Sequence, residues 1–263
     1  MNLPPLEGSF TQKNFCIYAA ADSVYFDVHA RPLINSVLTN TPNLGIHVHI
    51  YNPTSDQLAF CQARPQVSYT WEHVNPVEFD RATTTWLKRN TFENDRQRQM
   101  WKKGQSHGRE ELNRLIRQTY YACMRFVRLA EFLPQGSRCL EIDVDGLVRA
   151  PFDHNLGLSD FYLYEKPKDG THLAGAILFN GLDTSHKFLQ EYSAALKDSI
   201  QHDDIYWFLD QVVLDRLVPR YRKGLLPMSY IDWAMRPESA IWSAKGKRKE
   251  LEVFKQEQRK YTL

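Results

Sequence analysis

The chain has 263 residues, of which 43% are hydrophobic and 24% charged, and its formal net charge is +2. These values are ordinary for a globular protein that can bury a core, and the nearly balanced charge argues against a nucleic-acid partner. The four cysteines are dispersed, which argues against a zinc site and a disulfide framework. The sequence shows no signal-peptide pattern, and no apolar run reaches the roughly 18 residues that a membrane span needs. Together these features predict a cytoplasmic protein.

The N-terminal part of the chain alternates between apolar runs and helix-compatible stretches. Strands are predicted at 15–20, 46–51 and 67–71, and a short helix at 54–63. Compact apolar runs are typical of buried parallel strands, and strands that alternate with helices indicate βαβ units. His47 and His49 alternate along the second strand, where we expect a polar strand face, with metal ligation as the alternative.

The segment 86–118 is rich in charge, with nine Lys or Arg against four Asp or Glu. We expect a charged helical excursion that is solvated, with a lid or an anionic-ligand surface as the alternative. From Glu110 a long helix is predicted, because apolar residues recur every three or four positions until Leu133-Pro134. Later predictions are a strand at 139–148 that runs into a Gly turn, strands at 161–164 and 176–179, helices at 184–199 and 204–217, and a basic, helix-compatible tail at 245–263.

The pattern Asp143-Val144-Asp145 is the most informative part of the sequence. Alternation along a strand would point both carboxylates to one face, with Leu140, Ile142 and Val144 packing on the other. Ionised carboxylates are very costly to bury unpaired, so this pair predicts a bound cation. A hard ion such as Mn²⁺ or Mg²⁺ takes few protein carboxylates and completes its shell with phosphate oxygens. The pattern is weak alone, but open α/β sheets bind ligands at the ends of such strands.

The order of these segments resembles that of GT-A glycosyltransferases, in particular the family 8-like enzymes related to glycogenin and bacterial lipopolysaccharide sugar transferases. The resemblance covers about residues 14–249. The stretches that carry it are Phe15 to Asp22 with Tyr25, Met124-Arg125-Phe126, Leu140 to Val148, Gly175 to Asn180, Asp210-Gln211, and Ser243-x-x-Gly246-x-x-Lys249. It implies a single GT-A-like catalytic domain over 1–263, of the α/β class, with a mostly parallel central sheet flanked by helices.

The resemblance also implies a role for individual residues. Asp143 and Asp145 would bind Mn²⁺ or Mg²⁺, and Asp210 and Gln211 would lie near the reacting sugars. The nucleotide-sugar donor would be bound by Ala21, Asp22, Tyr25, Arg125, Gly175, Asn180, Gly246 and Lys249.

Two positions depart from the family's pattern. Ser243 stands where the family has a histidine that serves as third metal ligand, and Glu141 stands where an aromatic or apolar residue is usual. A serine hydroxyl is a poorer ligand than a neutral imidazole, so the resemblance implies a weaker or more hydrated metal. For Glu141 we expect a surface residue, with an extra acid beside the metal site as the alternative.

Several proposed donor contacts have structural alternatives. Asp22 would either bind the base or ribose or cap the next helix, and Tyr25 would either stack on a base or lie in the core. Arg125 would reach the diphosphate or be solvated. The resemblance selects Lys249, from a run of cations, as the contact to the β-phosphate.

The sequence thus predicts a metal-dependent glycosyltransferase with a nucleotide-sugar donor, preferably a UDP-sugar, and a glycan, lipid-linked or protein acceptor. The resemblance implies retention of configuration, and the basic stretches indicate peripheral membrane contact. Two alternatives remain: a non-catalytic nucleotide- or carbohydrate-binding protein, favoured by Ser243, and a sugar nucleotidyltransferase, which usually has a glycine-rich loop after the first strand. Motifs of dinucleotide-binding enzymes, P-loop NTPases, zincins and α/β-hydrolases are absent from the sequence.

Overall fold

The computed structural model describes residues 1–12, 14–166 and 170–262. The strands are β1 (Glu7–Ser9), β2 (Phe15–Asp22), β3 (Gly45–Tyr51), β4 (Val67–Glu72), β5 (Arg138–Ile142), β6 (Gly146–Val148), β7 (Phe161–Glu165), β8 (His172–Phe179), β9 (Lys223–Leu225), β10 (Ile231–Asp232) and β11 (Ile241–Ser243). The α-helices are α1 (Ser23–Tyr25), α2 (Arg31–Asn40), α3 (Ser55–Gln62), α4 (Pro76–Leu87), α5 (Asp95–Phe132), α6 (Asp183–Gln201), α7 (Leu209–Leu217) and α8 (Glu252–Arg259). A π-helical turn, Phe26–Ala30, joins α1 to α2, and 3-10 turns lie at Val218–Arg220 and Gly246–Glu250.

Eight strands form the central sheet in the order β1-β4-β3-β2-β5-β8-β7-β9. The middle of the sheet is parallel, from β4 through β3 and β2 to β5, whereas β8 pairs antiparallel with both β5 and β7. The chain adds β3 and β4 on one side of β2 and then returns to add β5 on the other. The strand order therefore reverses between β2 and β5, and open α/β sheets bind ligands beyond the strand ends at such a point.

Helices cover both faces of the central sheet. On one face α4, α5 and α6 pack through large side chains such as Trp86, Tyr120 and Phe188. On the other face α2 and α3 pack through residues that include Leu33 and Cys61. Because both faces of β2 are buried in this way, its sequence is apolar from Phe15 to Ala21 instead of alternating with polar residues.

A small second sheet, in the order β10-β11-β6, lies where the chain leaves the central sheet. Its strand β6 follows β5 after three residues, so the main chain between them links the two sheets. Phe254 of α8 packs with Leu147 and Trp242 against this small sheet. That packing fixes the C-terminal segment beside the end of β5. Leu263, the last residue of the predicted basic tail, lies outside the described residues.

Most of the predicted elements are present, and two differ. The stretch 139–148, predicted as a strand that runs into a Gly turn, is two strands in different sheets, β5 and β6, with the turn between them. The helix predicted at 204–217 begins only at Leu209, because Asp203 and Phe208 adopt left-handed backbone conformations that interrupt it. The long helix predicted from Glu110 is confirmed by residues 109–132 of α5, and a further helical segment from Asp95 precedes it. Helix α4 and the short strands β1, β9, β10 and β11 were not predicted.

Helix α5 is bent at Gly108, whose φ of 86° and ψ of 178° are not helical. Residues 95–107 and 109–132 are therefore two helical segments, and much of the charged segment 86–118 is helical. A Cβ on Gly104 would lie only 3.0 Å from the side chain of Leu112, so the two segments approach closely at the bend. Although α5 spans 38 residues, no helix within the described residues is long and apolar enough to cross a membrane.

Candidate functional site

Asp143 and Asp145 lie in the turn between β5 and β6, at the point where the strand order reverses. The Gly146 N–H donates to the Asp143 carbonyl at 3.0 Å, which closes the turn. The prediction that both carboxylates alternate along one strand is therefore wrong, because β5 ends at Ile142. The prediction that Val144 packs into apolar surroundings is confirmed, since it is 8% exposed.

Arg125 of α5 connects this turn to two neighbouring elements. Its guanidinium donates to the Asp143 carboxylate and lies 3.2 Å from Glu141 and 3.4 Å from Asp210. The same group donates to the Ala174 carbonyl at 2.9 Å. Arg125 is 8% exposed, so the alternative that it is solvated is wrong. Burial alone would lower the pKa of this arginine, but the three carboxylates raise it, and the side chain remains a fixed cation.

Lys249 forms a second charged contact with the turn. Its ammonium group lies 2.8 Å from Asp145 Oδ2 and donates to the Tyr25 hydroxyl at 3.0 Å. It also lies 4.5 Å from the centre of the Tyr25 ring. Tyr25 is 36% exposed, so the alternative that it belongs to the core is wrong. The contact joins the C-terminal segment to the helical turn after β2, on either side of the site.

Gly175 of β8 leaves room for the Asp143 side chain. A Cβ at this position would lie 2.2 Å from Asp143 Oδ2, so any larger residue would displace the carboxylate. The Gly175 carbonyl also accepts a hydrogen bond from the Asp143 N–H at 3.1 Å. Position 175 is therefore a glycine because the Asp143 carboxylate lies where a Cβ would be, and not because the backbone needs an unusual angle.

Glu141 is fully buried, and the prediction that it is a surface residue is wrong. Its side chain points into the cluster between Arg125 and the acidic turn, and neither oxygen has a hydrogen-bond partner among the described residues. Burial raises the pKa of Glu141 to about 8, against the opposing effect of Arg125.

The two aspartates of the turn differ in their electrostatics. Burial would raise the pKa of Asp143, but Arg125 and Lys245 outweigh it and the pKa is lowered. Burial and the Asp143 carboxylate raise the pKa of Asp145, although Lys249 opposes them. With Asp210 the cluster holds four acidic groups beside the paired cations Arg125 and Lys249, and the raised pKa of Glu141 favours its neutral form near pH 7.

The oxygens of the turn fit a hard divalent ion. Asp145 Oδ1 and the Ser243 hydroxyl are both buried and lack hydrogen-bond partners within the part of the chain that the structure describes. Ser243 pairs in register with Gly146, and Ala244, the residue after Ser243, donates its N–H to the Asp145 carbonyl at 3.1 Å. No group of three His, Cys, Asp or Glu in residues 1–12, 14–166 and 170–262 could hold a metal. An ion here would therefore have two carboxylates from the protein and open positions for phosphate oxygens.

Other predicted site residues are distributed unevenly around this cluster. Ala21 and Asp22 end β2 beside it, and Asp22 accepts from the Tyr25 N–H at 2.8 Å, which confirms the alternative that it caps the helix. Gln211 accepts from the Ala174 N–H at 3.1 Å. Gly246 has a φ of 68° and begins the turn that leads to Lys249.

Asn180 is not brought to the cluster. It follows β8, which is antiparallel to β5, and Phe179 pairs with Cys139 near the start of β5. Asn180 therefore lies at the opposite end of the sheet from Asp143. There it accepts from Arg138 Nε at 3.2 Å and donates to the Gly157 carbonyl at 2.8 Å, which are contacts that support loops.

The two histidines of β3 are buried, and each makes hydrogen bonds inside the protein. His47 contacts the Ser68 and Thr70 hydroxyls at 2.8 and 3.0 Å, and His49 contacts the Thr70 hydroxyl at 3.0 Å. The face they form is polar, as expected, but it is covered by α5 and not by solvent. Neither ring belongs to a group that could hold a metal in the described part of the chain.

Three residues near the predicted site residues were not predicted from the sequence. Ala174 acts through its backbone, for which no sequence signal exists. Lys245 is one of a run of cations and could not be distinguished from its neighbours. Phe208 ends the aromatic run Tyr206-Trp207-Phe208 two residues before Asp210, and that run was a usable signal for a site.

Comparison with known proteins gives matches in structure only. No protein-family model matches the chain, and no curated protein matches it in sequence. The galactosyltransferase LgtC, in complex with donor and acceptor sugar analogues, is 15% identical with a TM-score of 0.56, covering 93% of this chain and 95% of LgtC. The bifunctional glycosyltransferase WbbM is 14% identical with a TM-score of 0.58. The glycosyltransferase GlyE of Streptococcus pneumoniae TIGR4 is 12% identical with a TM-score of 0.58. The chain has the GT-A fold.

The GT-A fold confirms the predicted architecture, an α/β protein with a mostly parallel central sheet flanked by helices. The match to WbbM covers 96% of this chain and 50% of WbbM, and the match to GlyE covers 95% of this chain and 61% of GlyE. At these identities the likeness concerns the fold. The case for an activity therefore depends on the acidic turn and its surroundings.

Proposed function

We propose that this chain is a metal-dependent, family 8-like glycosyltransferase that moves a sugar from a nucleotide diphosphate to a glycan, lipid-linked or protein acceptor. The observation that carries the proposal is the acidic turn after β5, where Asp145 Oδ1 and the Ser243 hydroxyl are buried without partners. Buried polar atoms are nearly always hydrogen-bonded, so unpartnered oxygens at the point of strand-order reversal favour a ligand there.

In this proposal Asp143 and Asp145 hold Mn²⁺ or Mg²⁺. The ion would neutralise charge on the diphosphate leaving group. Arg125 keeps the Asp143 carboxylate oriented, and Lys249 donates to the diphosphate from the Asp145 side. The exposed part of Tyr25 stacks on the base, for which uracil is our preferred choice.

Asp210 and Gln211 are the proposed groups at the reacting sugar. Asp210 is 13% exposed and lies within 3.4 Å of Arg125, so its carboxylate is held near Asp143. Gln211 is oriented by the Ala174 N–H, beside Gly175. An anionic carboxylate at this place stabilises positive charge as it develops on the anomeric carbon, which is compatible with retention of configuration.

We further propose that residues 1–263 form one catalytic domain that works in the cytoplasm and touches a membrane peripherally. The four cysteines are buried without disulfides in the described structure, which fits a reducing compartment. Exposed apolar side chains Leu251 and Val253 lie beside the basic turn Gly246–Glu250, which fits contact with anionic lipids.

A thermal-shift measurement with UDP, GDP, CDP and their sugars, with and without Mn²⁺, tests the proposal. We expect one nucleotide to stabilise the protein only when Mn²⁺ is present, by about 2.7 kcal/mol at a hundredfold excess over its Kd. For a chain of this size that free energy corresponds to about 5–10 °C. Asp143→Asn should abolish the shift, whereas Asp198→Asn on the exposed face of α6 should retain it. Equal stabilisation of the parent and Asp143→Asn would show that the metal assignment is wrong.

The second candidate function is a binding protein without transferase activity, and Ser243 is the observation that favours it. A hydroxyl in place of an imidazole would leave the ion more weakly held. Under that alternative the nucleotide stabilises the protein, yet no sugar is released or transferred from the matching donor. Ser243→His then separates the two functions. In a transferase the new imidazole should raise the affinity for Mn²⁺ and keep sugar transfer dependent on it, whereas a binding protein should still transfer no sugar.

A further inference from the structure

Phe208 is held in an unfavourable backbone conformation two residues before Asp210. Its φ of 70° and ψ of 23° lie in the left-handed region, which is a rare and strained conformation for a bulky residue. Strain of this kind persists where the surrounding structure enforces it, often at ligand sites. Phe208 directly precedes α7, and its side chain is half-buried.

Two cations from distant parts of the chain lie over this ring. The guanidinium carbon of Arg96, in the first turn of α5, is 4.9 Å from the ring centre. The ammonium of Lys245, just before the turn that carries Lys249, is 5.6 Å from it. Each distance is within the range of a cation–π contact, so both charges lie close to the same ring.

Neither cation has a carboxylate within ion-pair distance. No Asp or Glu oxygen of the described residues lies within 4.0 Å of Arg96 or Lys245, whereas Arg98, two residues along the same helix, is paired with Asp95 at 3.1 Å. Lys245 acts on the acidic turn over a longer range, as its effect on the pKa of Asp143 shows. Asp210, the nearest acid to Phe208 along the chain, already contacts Arg125. Like charges that share one ring repel each other, and a bound anion would reduce that repulsion.

We propose that Arg96 and Lys245, positioned by Phe208, bind an anionic group of the acceptor, so that the acceptor is an acidic sugar bearing a carboxylate or a phosphate. The inference rests on the proposed function, because it assumes that sugar is transferred at the adjacent acidic turn. The donor diphosphate already has Lys249 and the metal as partners. The pair on Phe208 lies on the side of Asp210, where the proposed acceptor would approach.

Binding of the whole chain to three glycosides with the same ring tests this inference. The probes are polymer-displayed glucuronoside, 6-phosphoglucoside and glucoside, compared at 0.15 M salt, where display in many copies makes weak binding measurable. We expect one or both acidic glycosides to bind at least about tenfold more tightly than the neutral one, and the pair shows whether carboxylate or phosphate is preferred. Charge-assisted hydrogen bonds of this kind are the strong ones in proteins.

Variants identify the residues responsible. Arg96→Gln should reduce the acidic preference to about threefold or less, and Phe208→Leu should reduce it too, because it keeps an apolar side chain but removes the ring. Phe208→Gly removes the ring and the backbone strain together, and a melting temperature close to that of the parent would show that a loss of preference in this variant does not come from misfolding. Arg98→Gln is the matched control and should leave the preference unchanged.

Three results would overturn the inference: equal or no binding of the three probes, a preference that survives Arg96→Gln, or a loss of nucleotide-dependent stabilisation in Arg96→Gln. The last result would assign the two cations to the donor. Failure of the proposed function looks different, since the parent would then show no stabilisation by any nucleotide while the preference for acidic glycosides remained.

Discussion

Two buried arginines of α5 stand three residues apart and serve different purposes. Arg128 binds Glu72 at the end of β4 and donates to the Pro4 carbonyl at 2.6 Å and to Glu131 at 2.5 Å. Arg125 binds the acidic cluster at the end of β5. Both side chains are nearly inaccessible to solvent, and both face carboxylates from the central sheet.

The difference lies in how completely each cluster satisfies its own polar atoms. Both Glu72 oxygens accept hydrogen bonds, from Arg128 and Tyr120, and only the His49 Nε2 atom, 3.8 Å from Glu72, remains without one. Around Arg125, by contrast, both Glu141 oxygens, one Asp145 oxygen and the Arg125 Nε atom are unpartnered in the described structure. A closed network stabilises a fold, whereas an incomplete one at a cleft indicates that a ligand completes it.

Removing one partner from the closed network should have the largest effect on stability. Glu72→Gln removes a fully buried carboxylate from Arg128 and leaves it with the Pro4 carbonyl and with Glu131, whose side chain is 33% exposed, so we expect the free energy of unfolding to fall by about 3–5 kcal/mol. Asp143→Asn should change it by less than about 1 kcal/mol, because Arg125 retains Glu141 and Asp210. Urea unfolding of both variants beside the parent measures the difference.

The same pair of variants should show the reverse order in ligand binding. Under conditions where Glu72→Gln is still folded, its nucleotide-dependent thermal shift should match that of the parent, and that of Asp143→Asn should be absent. Similar stability losses in the two variants would remove the distinction between a structural and a ligand-binding cluster.

Gly175→Ala sharpens the comparison without changing any charge. The new Cβ would meet Asp143 Oδ2, so the carboxylate must shift, and we expect nucleotide affinity to fall about tenfold in the presence of Mn²⁺. Titration calorimetry measures this change. Gly136→Ala is the control, since it imposes strain at a φ of 84° but has no neighbouring atom within 4 Å. A tenfold loss in the control as well would attribute the effect to general strain.

The smallest expected effect is on the pH dependence of stability, and it comes from the buried histidines of β3. Burial, and then the neighbouring His49, lower the pKa of His47 well below its usual value. The unfolded chain therefore binds a proton near pH 6.5 that the folded chain does not, so stability falls as the pH decreases, by about 1.4 kcal/mol per unit for each such histidine.

His47→Gln should therefore flatten this dependence, by about 1 kcal/mol between pH 6.5 and 5.5, while glutamine still reaches the Ser68 and Thr70 hydroxyls. Part of the slope should remain, since burial also lowers the pKa of His49. Unfolding titrations at the two pH values check the change. His202→Gln, whose ring is 75% exposed, should keep the parent's slope. An unchanged slope in His47→Gln would contradict the assignment.

Most of the central sheet was predictable because its parallel strands are short apolar runs between recognisable breaks. The strands that were missed, β1, β9, β10 and β11, have two or three residues and too little pattern for alternation to be visible. Helix α4 was missed because its apolar face is small and a charged segment follows it. A turn was predicted at Gly146, but its start at Asp143 was not, because Leu140 to Asp145 alternates as a strand would.

The site was predictable where a side chain has a characteristic pattern, as for Asp143 and Asp145. It was not predictable for Glu141, because alternation could not show that an arginine sixteen residues earlier would cover it. Asn180 was placed with the site because the stretch from Gly175 to Asn180 resembles the family's segment that lines the donor sugar. The antiparallel direction of β8 carries Asn180 to the other end of the sheet.

The spacing of Arg125 and Arg128 on one helix has a consequence for how this stretch can change. Each α-helical residue advances the side chain by about 100°, so one residue inserted between the two arginines would turn one of them away from its carboxylates. Substitutions could alter the fold or the cleft separately, whereas a change in length would disrupt both together. The rotational phase of α5 is thus shared by stability and ligand binding.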